Sequence, residues 1–451
     1  MIQRLHDVPR ERGPRFGPLA RERLFMVLAA LALRVAYAWV ATGPGAQPFS
    51  DPADYDQVAW NLAHGVGFRL DGAGGPYPTA FVPPLVPWIT SLLYRTTGHH
   101  DYFAAVLLQC TIGALLPLAV AALGAAVFGI GVGRVAGWLA VVHPLLVFFC
   151  GYLLTETVFT LLFVLALVAS MEWVKTPRRG RALGAGLLWG VTALARPTAL
   201  PMPLLVAIWA WIPLGLALLA GERLRQLAML FLGLALVVAP WTIRNAVELH
   251  ALVPVTTGAG GALMVGNNPE VWADPARRGG GTSGLWVELT RTEFRGLSET
   301  EVDVRARARA LAFLRAHVRE WPAMALAKLG RFWRLTTEAG DTGSWQRSGS
   351  PLRDAMHRVD PLLAWSVIVM PFALWGAVVS LRGSRRWFQS FLLWCIAYFS
   401  AIGVVFFGSL RMRVPAEPLV VLLAAAGFED LRRRLRTRRR GLRVIEGGRA
   451  A

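Results

Sequence analysis

Ten stretches of the chain stay apolar for close to the 20 residues needed to cross roughly 30 Å of hydrocarbon. They are residues 22–42, 103–128, 132–153, 155–174, 182–198, 200–219, 226–244, 362–382, 387–407 and 414–430. Two long connections read differently. Residues 43–102 include "AFVPPLVPWITSLLY" (Ala80 to Tyr94), apolar but short and rich in proline. Residues 245–361 open with Gly, Asn and Pro punctuation, which marks turns, and then become amphipathic. There Ser298 and Glu301 have capping-box spacing, and Ala310, Leu311, Leu314 and Val318 recur at helical spacing. Pro322 falls near the start of a second helix, where its missing N–H does no harm.

Composition turns this pattern into a fold class. The 451 residues are 55% hydrophobic and 17% charged, against about 25% charged in soluble domains. The expectation is an all-α polytopic membrane protein. Arginine placement orients it. "RERGPRFGPLARER" (10–23), "KTPRRGR" (175–181), "ERLR" (222–225), "RGSRR" (382–386) and "RRRLRTRRRGLR" (432–443) all fall on one side if ten spans start from an inside N-terminus. That is the positive-inside pattern. A full crossing at Ala80–Tyr94 would reverse every later loop, so this segment reads as re-entrant or interfacial.

The expected organisation is an N-terminal transmembrane module 1–244 with an outer loop at 43–102. An extracytoplasmic loop domain 245–361, transmembrane helices 362–430 and a basic cytoplasmic tail 431–451 follow. The net charge of +19 is carried almost wholly by Arg, since Lys175 and Lys328 are the only lysines. Cytoplasmic loops and tails explain that balance without nucleic acid as a partner. Cys110, Cys150 and Cys395 sit in apolar runs without metal-ligand spacing, so neither a disulfide framework nor a zinc site is expected. His143 reads as a buried polar residue, and the first apolar run as a retained helix.

Against this background seven charged residues stand out at outer span ends: Asp51, Asp54, Glu156, Arg196, Arg244, Arg411 and Arg413. Taken singly, each Arg reads as an interfacial anchor, each Asp as a turn cap, and Glu156 as a partner for Arg196. Taken together, they place four guanidiniums and three carboxylates on one membrane face. Arginine forks bind phosphate oxygens in bidentate fashion. A carboxylate beside them suits abstraction of a proton from a hydroxyl. Asp51, Asp54 and Glu156 are therefore the candidate catalytic acids. Arg196, Arg244, Arg411 and Arg413 are the candidate phosphate holders, for a lipid-phosphate sugar donor. Asp56, on the helix expected from about Ala53, turns away and solvates the helix start. Trp60, Phe68, Tyr77, Trp88, Trp241 and Trp272 read either as sugar-stacking groups or as an interfacial aromatic belt.

Several stretches carry a family resemblance: "SDPADYDQVAWNLAHGVGF", "FVPPLVPWI", "LLTETVF", "LARPTAL", "APWTIRN", "GNNP" (266–269) and "RMRVPAEP". In their order the chain resembles the GT-C type membrane glycosyltransferases, in particular bacterial relatives of the protein O-mannosyltransferases (glycosyltransferase family 39) and of the lipid A aminoarabinose transferases. The resemblance implies a bundle of about 10–12 transmembrane helices with juxtamembrane helices in the first outer loop. It implies inverting transfer from a polyprenyl-phosphate-linked sugar to an acceptor protein, lipid or glycan, with no metal or cofactor. The site would face outward from a bacterial cytoplasmic membrane. Asp51 takes the position of the family's key acid, four residues before Tyr55. Pro52 stands where many members carry a second acid. Tyr55, Trp60, Trp241, Asn267 and Asn268 are then expected to contact sugar or lipid. A transporter or lipid flippase, and a non-catalytic assembly protein, are the alternatives.

Overall fold

The computed structural model describes residues 18–72, 74–282, 284–335, 361–382 and 386–447. The basic N-terminal tail through residue 17, residues 383–385 of "RGSRR", the end of the long loop (336–360) and residues 448–451 of the basic tail lie outside the described residues. The described residues form a bundle of helices with one short hairpin.

Among the described residues, seven helices are long and apolar enough to cross a membrane, or eight if a bent pair counts as one span. They account for eight of the ten expected stretches. The ninth, 182–198, is the 17-residue helix α9 below. The tenth, 414–430, is the apolar start of the helix Glu417–Gly447, whose residues from Leu419 to Ala426 are buried.

In chain order the first part contains α1 (Pro18–Ala41), α2 (Asp51–Ala63), the strands β1 (Arg69–Gly72) and β2 (Gly75–Pro78), and α3 (Leu85–Thr97). Then come α4 (Tyr102–Gly113) and α5 (Leu116–Val127), which together make one span. They are followed by α6 (Ile130–Val142), α7 (Pro144–Phe148), α8 (Thr155–Lys175), α9 (Arg179–Ala195), α10 (Met202–Ala217) and α11 (Ala220–Glu248).

The bent pair is α6 and α7 with the short turn after it, broken by 52° at His143. Pro144 causes the break, because the residue before a proline is pushed out of the helical region. His143 accordingly has φ −64° and ψ 118°. Two of the carbonyls left over at the end of α6 find a buried donor. Arg34, fully buried in α1, donates to Val141 O at 3.2 Å and to Ala140 O at 3.3 Å.

Close helix contacts depend on missing side chains. A Cβ on Gly186 of α9 would overlap the Leu230 carbonyl of α11, and one on Gly376 would overlap the Leu423 carbonyl of Glu417–Gly447. Backbones this close are how membrane helices gain packing where lipid supplies no hydrophobic drive.

In the connection 43–102, α2 begins at Asp51, two residues earlier than expected, after Ser50 in the left-handed region at φ 55°. Pro52 is thus the second helical residue, a place that tolerates a missing N–H. Asp56 does not merely solvate the helix start. It is buried, accepts a hydrogen bond from Tyr94 and lies 2.7 Å from His100 Nε2. The hairpin pairs Arg69 with Pro78, and Asp71 ties it to α2 by accepting from Gln57 at 2.9 Å and Asn61 at 3.1 Å. The proline-rich segment becomes α3, whose 13 residues reach about 20 Å, short of a crossing.

The described part of the long loop packs around Met264, Leu289, Phe294, Ala306 and Ala310. Its helix Glu299–Ala316 carries the expected capping box at Ser298 and Glu301. The buried face of that helix is Asp303, Ala306 and Ala310; Leu311 and Val318 are exposed, unlike the stripe their spacing suggested. Glu299 joins this domain to the first loop, accepting from Thr79, from the Ala80 N–H at 3.0 Å and from Thr257.

Candidate active site

Four of the seven charged residues converge. Asp51 lies in the first turn of α2 and Glu156 in the first turn of α8, where the helix dipole favours a carboxylate. Arg196 follows the last residue of α9, in an extended conformation imposed by Pro197. Arg411 lies on the four-residue helix Leu410–Arg413, whose N-cap Ser409 accepts from the Arg411 N–H at 3.1 Å.

Arg411 donates to Asp51 through Nη1 and to Glu156 through Nε. Arg196 donates to the same Glu156 oxygen at 3.2 Å. Arg196 also contacts Met412 Sδ at 3.4 Å and lies 5.8 Å from the centre of the Phe159 ring.

The cluster is graded in exposure. The side chain of Glu156 is 0% exposed, that of Arg411 25% and that of Asp51 42%. Two guanidiniums face two carboxylates, so the base of the site is neutral and its upper rim, at Asp51, is open. Tyr55, one turn after Asp51, is buried under the cluster. Burial pushes its phenol well above the ordinary tyrosine range, and the Arg411 charge opposes that shift. Asp54 is partly buried beside Asp51. Burial, and then the charge of Asp51, push its carboxyl up to about 6.

The other expected site residues are held elsewhere by protein groups. Arg244 donates to Thr79 O at 2.7 Å and Phe68 O at 2.8 Å, and so grips both flanks of the hairpin. It stacks near Trp241, whose indole N–H donates to Val255 O at 2.7 Å. Arg413 is buried and paired with Glu417 rather than facing the cluster. Asn267 accepts from Lys328 at 2.6 Å and donates to Leu263 O, and Asn268 caps the next turn by accepting from Val271 N–H at 3.0 Å. Trp60 stacks on His100 at 4.3 Å.

The sequence reading passed over Glu417. Its signal was present in "RMRVPAEP": an acid one helical turn after Arg413, spacing at which opposite charges meet. Among the described residues, no group of three or more His, Cys, Asp or Glu side chains is arranged to hold a metal ion.

No curated protein matches the chain in sequence. The family model for dolichyl-phosphate-mannose-protein mannosyltransferases matches residues 82–243, a stretch that includes Glu156 and Arg196. The archaeal oligosaccharyltransferase of Archaeoglobus fulgidus in its apo form is similar in structure. Its TM-score is 0.55 at 15% identity, over 94% of this chain and 52% of that one. The fold is that of the GT-C type membrane glycosyltransferases.

The oligosaccharyltransferase AglB from the same archaeon, in complex with an inhibitory peptide and a dolichol-phosphate, matches this chain with TM-score 0.54 and 14% identity, over 92% and 51% of the two chains. The chain thus spans about half the length of the archaeal structures it matches. ArnT from Cupriavidus metallidurans bound to undecaprenyl phosphate is similar at TM-score 0.43 and 14% identity, over 90% of this chain and 76% of that one.

Proposed function

We propose that this GT-C protein is an inverting glycosyltransferase that moves a sugar from a polyprenyl-phosphate donor to an acceptor hydroxyl on the outer face of a bacterial cytoplasmic membrane. The single observation that supports it most is the bridging of Asp51 and Glu156 by Arg411, with Arg196 on the same glutamate. The fold, the matched family model and the archaeal relative captured with a dolichol-phosphate support the donor class.

In this reading the donor phosphate enters at the open rim and takes Arg411 as its partner, with Arg196 behind it. Arg411 leaves Asp51, whose freed carboxylate accepts the proton of the acceptor hydroxyl. The hydroxyl oxygen attacks the anomeric carbon from the face opposite the phosphate, and the bond from that carbon to the phosphate oxygen breaks. Polyprenyl phosphate departs with the electron pair, its charge held by the two guanidiniums. Glu156 keeps both arginines in place. Asp54 adjusts the charge beside the base, and Tyr55 packs the floor. Arg244 holds the hairpin beside the site, and Trp241, Trp60, Asn267 and Asn268 brace the loops around it. The sugar is a hexose or pentose, and the acceptor a protein, lipid or glycan.

The test is transfer of labelled sugar from polyprenyl-phosphate donors by the full-length protein in lipid nanodiscs. Loss of a general base in Asp51→Asn is expected to slow transfer about 10²–10⁴-fold. Transfer by that variant at the wild-type rate would remove Asp51 from the role.

A further inference from the structure

Deep in the bundle a second polar cluster lies under the site, and nothing in the chemistry above uses it. His143 and Glu417 have fully buried side chains with Nε2 3.0 Å from Oε2. Glu417 also pairs with Arg413, which donates to Trp333 O at 3.3 Å and stacks 5.1 Å from that ring. His143 Nδ1 accepts the Leu145 N–H at 3.2 Å. With Nδ1 used as an acceptor, the ring proton of neutral His143 sits on Nε2 and is donated to Glu417.

The cluster joins three parts of the chain: the break between α6 and α7, the end of the long-loop helix Trp321–Phe332, and the turn that carries Arg411. Replacing such a buried network by apolar side chains is often neutral or stabilising, so its presence is not explained by stability alone. Arg411 and Arg413 share one short helix. At 100° per residue, two residues apart they point to nearly opposite sides. Locking Arg413 inward therefore fixes the rotation of the turn and aims Arg411 outward at Asp51 and Glu156.

We propose that His143, Glu417 and Arg413 are positioning residues that set Arg411 in the site. The rate readout of this proposal rests on the sugar-transfer reading above, but its geometric readout does not.

The experiment is a double-mutant cycle in full-length protein in nanodiscs, together with hydrogen–deuterium exchange of the segment 406–416. His143→Leu is expected to slow transfer about tenfold in the wild-type background and to add little in an Arg411→Lys background, because coupled residues are non-additive. His143→Gln, whose amide donates from nearly the Nε2 position, recovers most of the lost rate. Equal slowing by His143→Leu in both backgrounds would be a general structural effect and overturns the proposal.

If wild type transfers no sugar from any donor offered, the enzymatic reading fails and exchange decides the positioning alone. His143→Leu then raises exchange at 406–416 and His143→Gln does not; unchanged exchange in His143→Leu overturns the proposal. Should His143→Leu fail to fold, Glu417→Gln serves in its place. It keeps the shape and still accepts from His143, but it lacks the charge that holds Arg413.

Discussion

Arg411 and Asp51 stand 360 residues apart in the chain and meet as an ion pair, with Glu156 on the inner side of the same guanidinium. One planar fork serves both acids. A lysine in its place carries the charge but offers a single point, without the fixed geometry to bridge them. Arg411→Lys is expected to lower transfer about 10²–10³-fold, the scale of losing one preorganised donor to a developing anion. Initial rates at saturating donor check this. A lysine variant that keeps the wild-type rate would mean that the fork geometry is not used.

Glu156 is the buried anion between two cations. Glu156→Gln keeps the shape and leaves Arg196 and Arg411 without it. Removing one member of a buried charge network costs about 3–5 kcal/mol. A clear fall in the midpoint of thermal unfolding in detergent is expected. Adding Arg196→Gln to this variant should restore part of the loss, since the stranded charge is then removed as well. A Glu156→Gln protein as heat-stable as wild type would show that the pair is screened by water.

The helical membrane fold was legible because apolar length and arginine placement are one-dimensional signals. Asp51, Glu156, Arg196 and Arg411 stood out for the same reason: each is a charge at the end of an apolar run, where charge is costly. The pairing of Glu156 with Arg196 was legible, but which other arginine meets the acids was not. Arg244 and Arg413 share that signature with Arg196 and Arg411, yet one grips the hairpin carbonyls and the other faces Glu417. The difference lies in the rotation of a turn, and hydropathy carries no information on that. The break at His143 was written in Pro144, but apolar continuity across 132–153 hid it. Asp56 looked solvated because its partners, Tyr94 and His100, lie on a segment whose approach to α2 only the tertiary fold creates.

Asp54 titrates near neutrality. Its carboxyl is pushed up to about 6 by burial and then by Asp51, from an ordinary aspartate value of 3.8. The sign follows from the proton balance. Between about 4 and about 6 the folded chain holds a proton that the unfolded chain has lost. The group therefore lowers stability progressively as pH rises through that window, and the full penalty is present above it. Carbodiimide reagents modify protonated buried carboxyls, so labelling of Asp54, read by peptide mass spectrometry, should fall with a midpoint near pH 6. In Asp51→Asn the neighbouring charge is gone and the midpoint moves to lower pH. A midpoint that stays put in this variant would leave burial as the sole cause.

Lys328 gives a second window on the alkaline side. Its Nζ donates to Asn267 Oδ1 at 2.6 Å and to Val404 O at 3.0 Å inside the seam between Trp321–Phe332 and Arg386–Val405. Burial pushes the ammonium down to about 8, from 10.5. The folded chain then releases its proton before the unfolded one does. The penalty for burying the charge is present in full below about 8 and fades as pH rises to about 10.5, so this group raises stability with pH across that interval. Lys328→Met removes the titration and also leaves Asn267 without its donor. Thermal midpoints of the two proteins, compared from pH 7 to 10, should diverge steadily in favour of wild type as pH rises. Parallel curves would show that Lys328 titrates in the folded chain as it does in water.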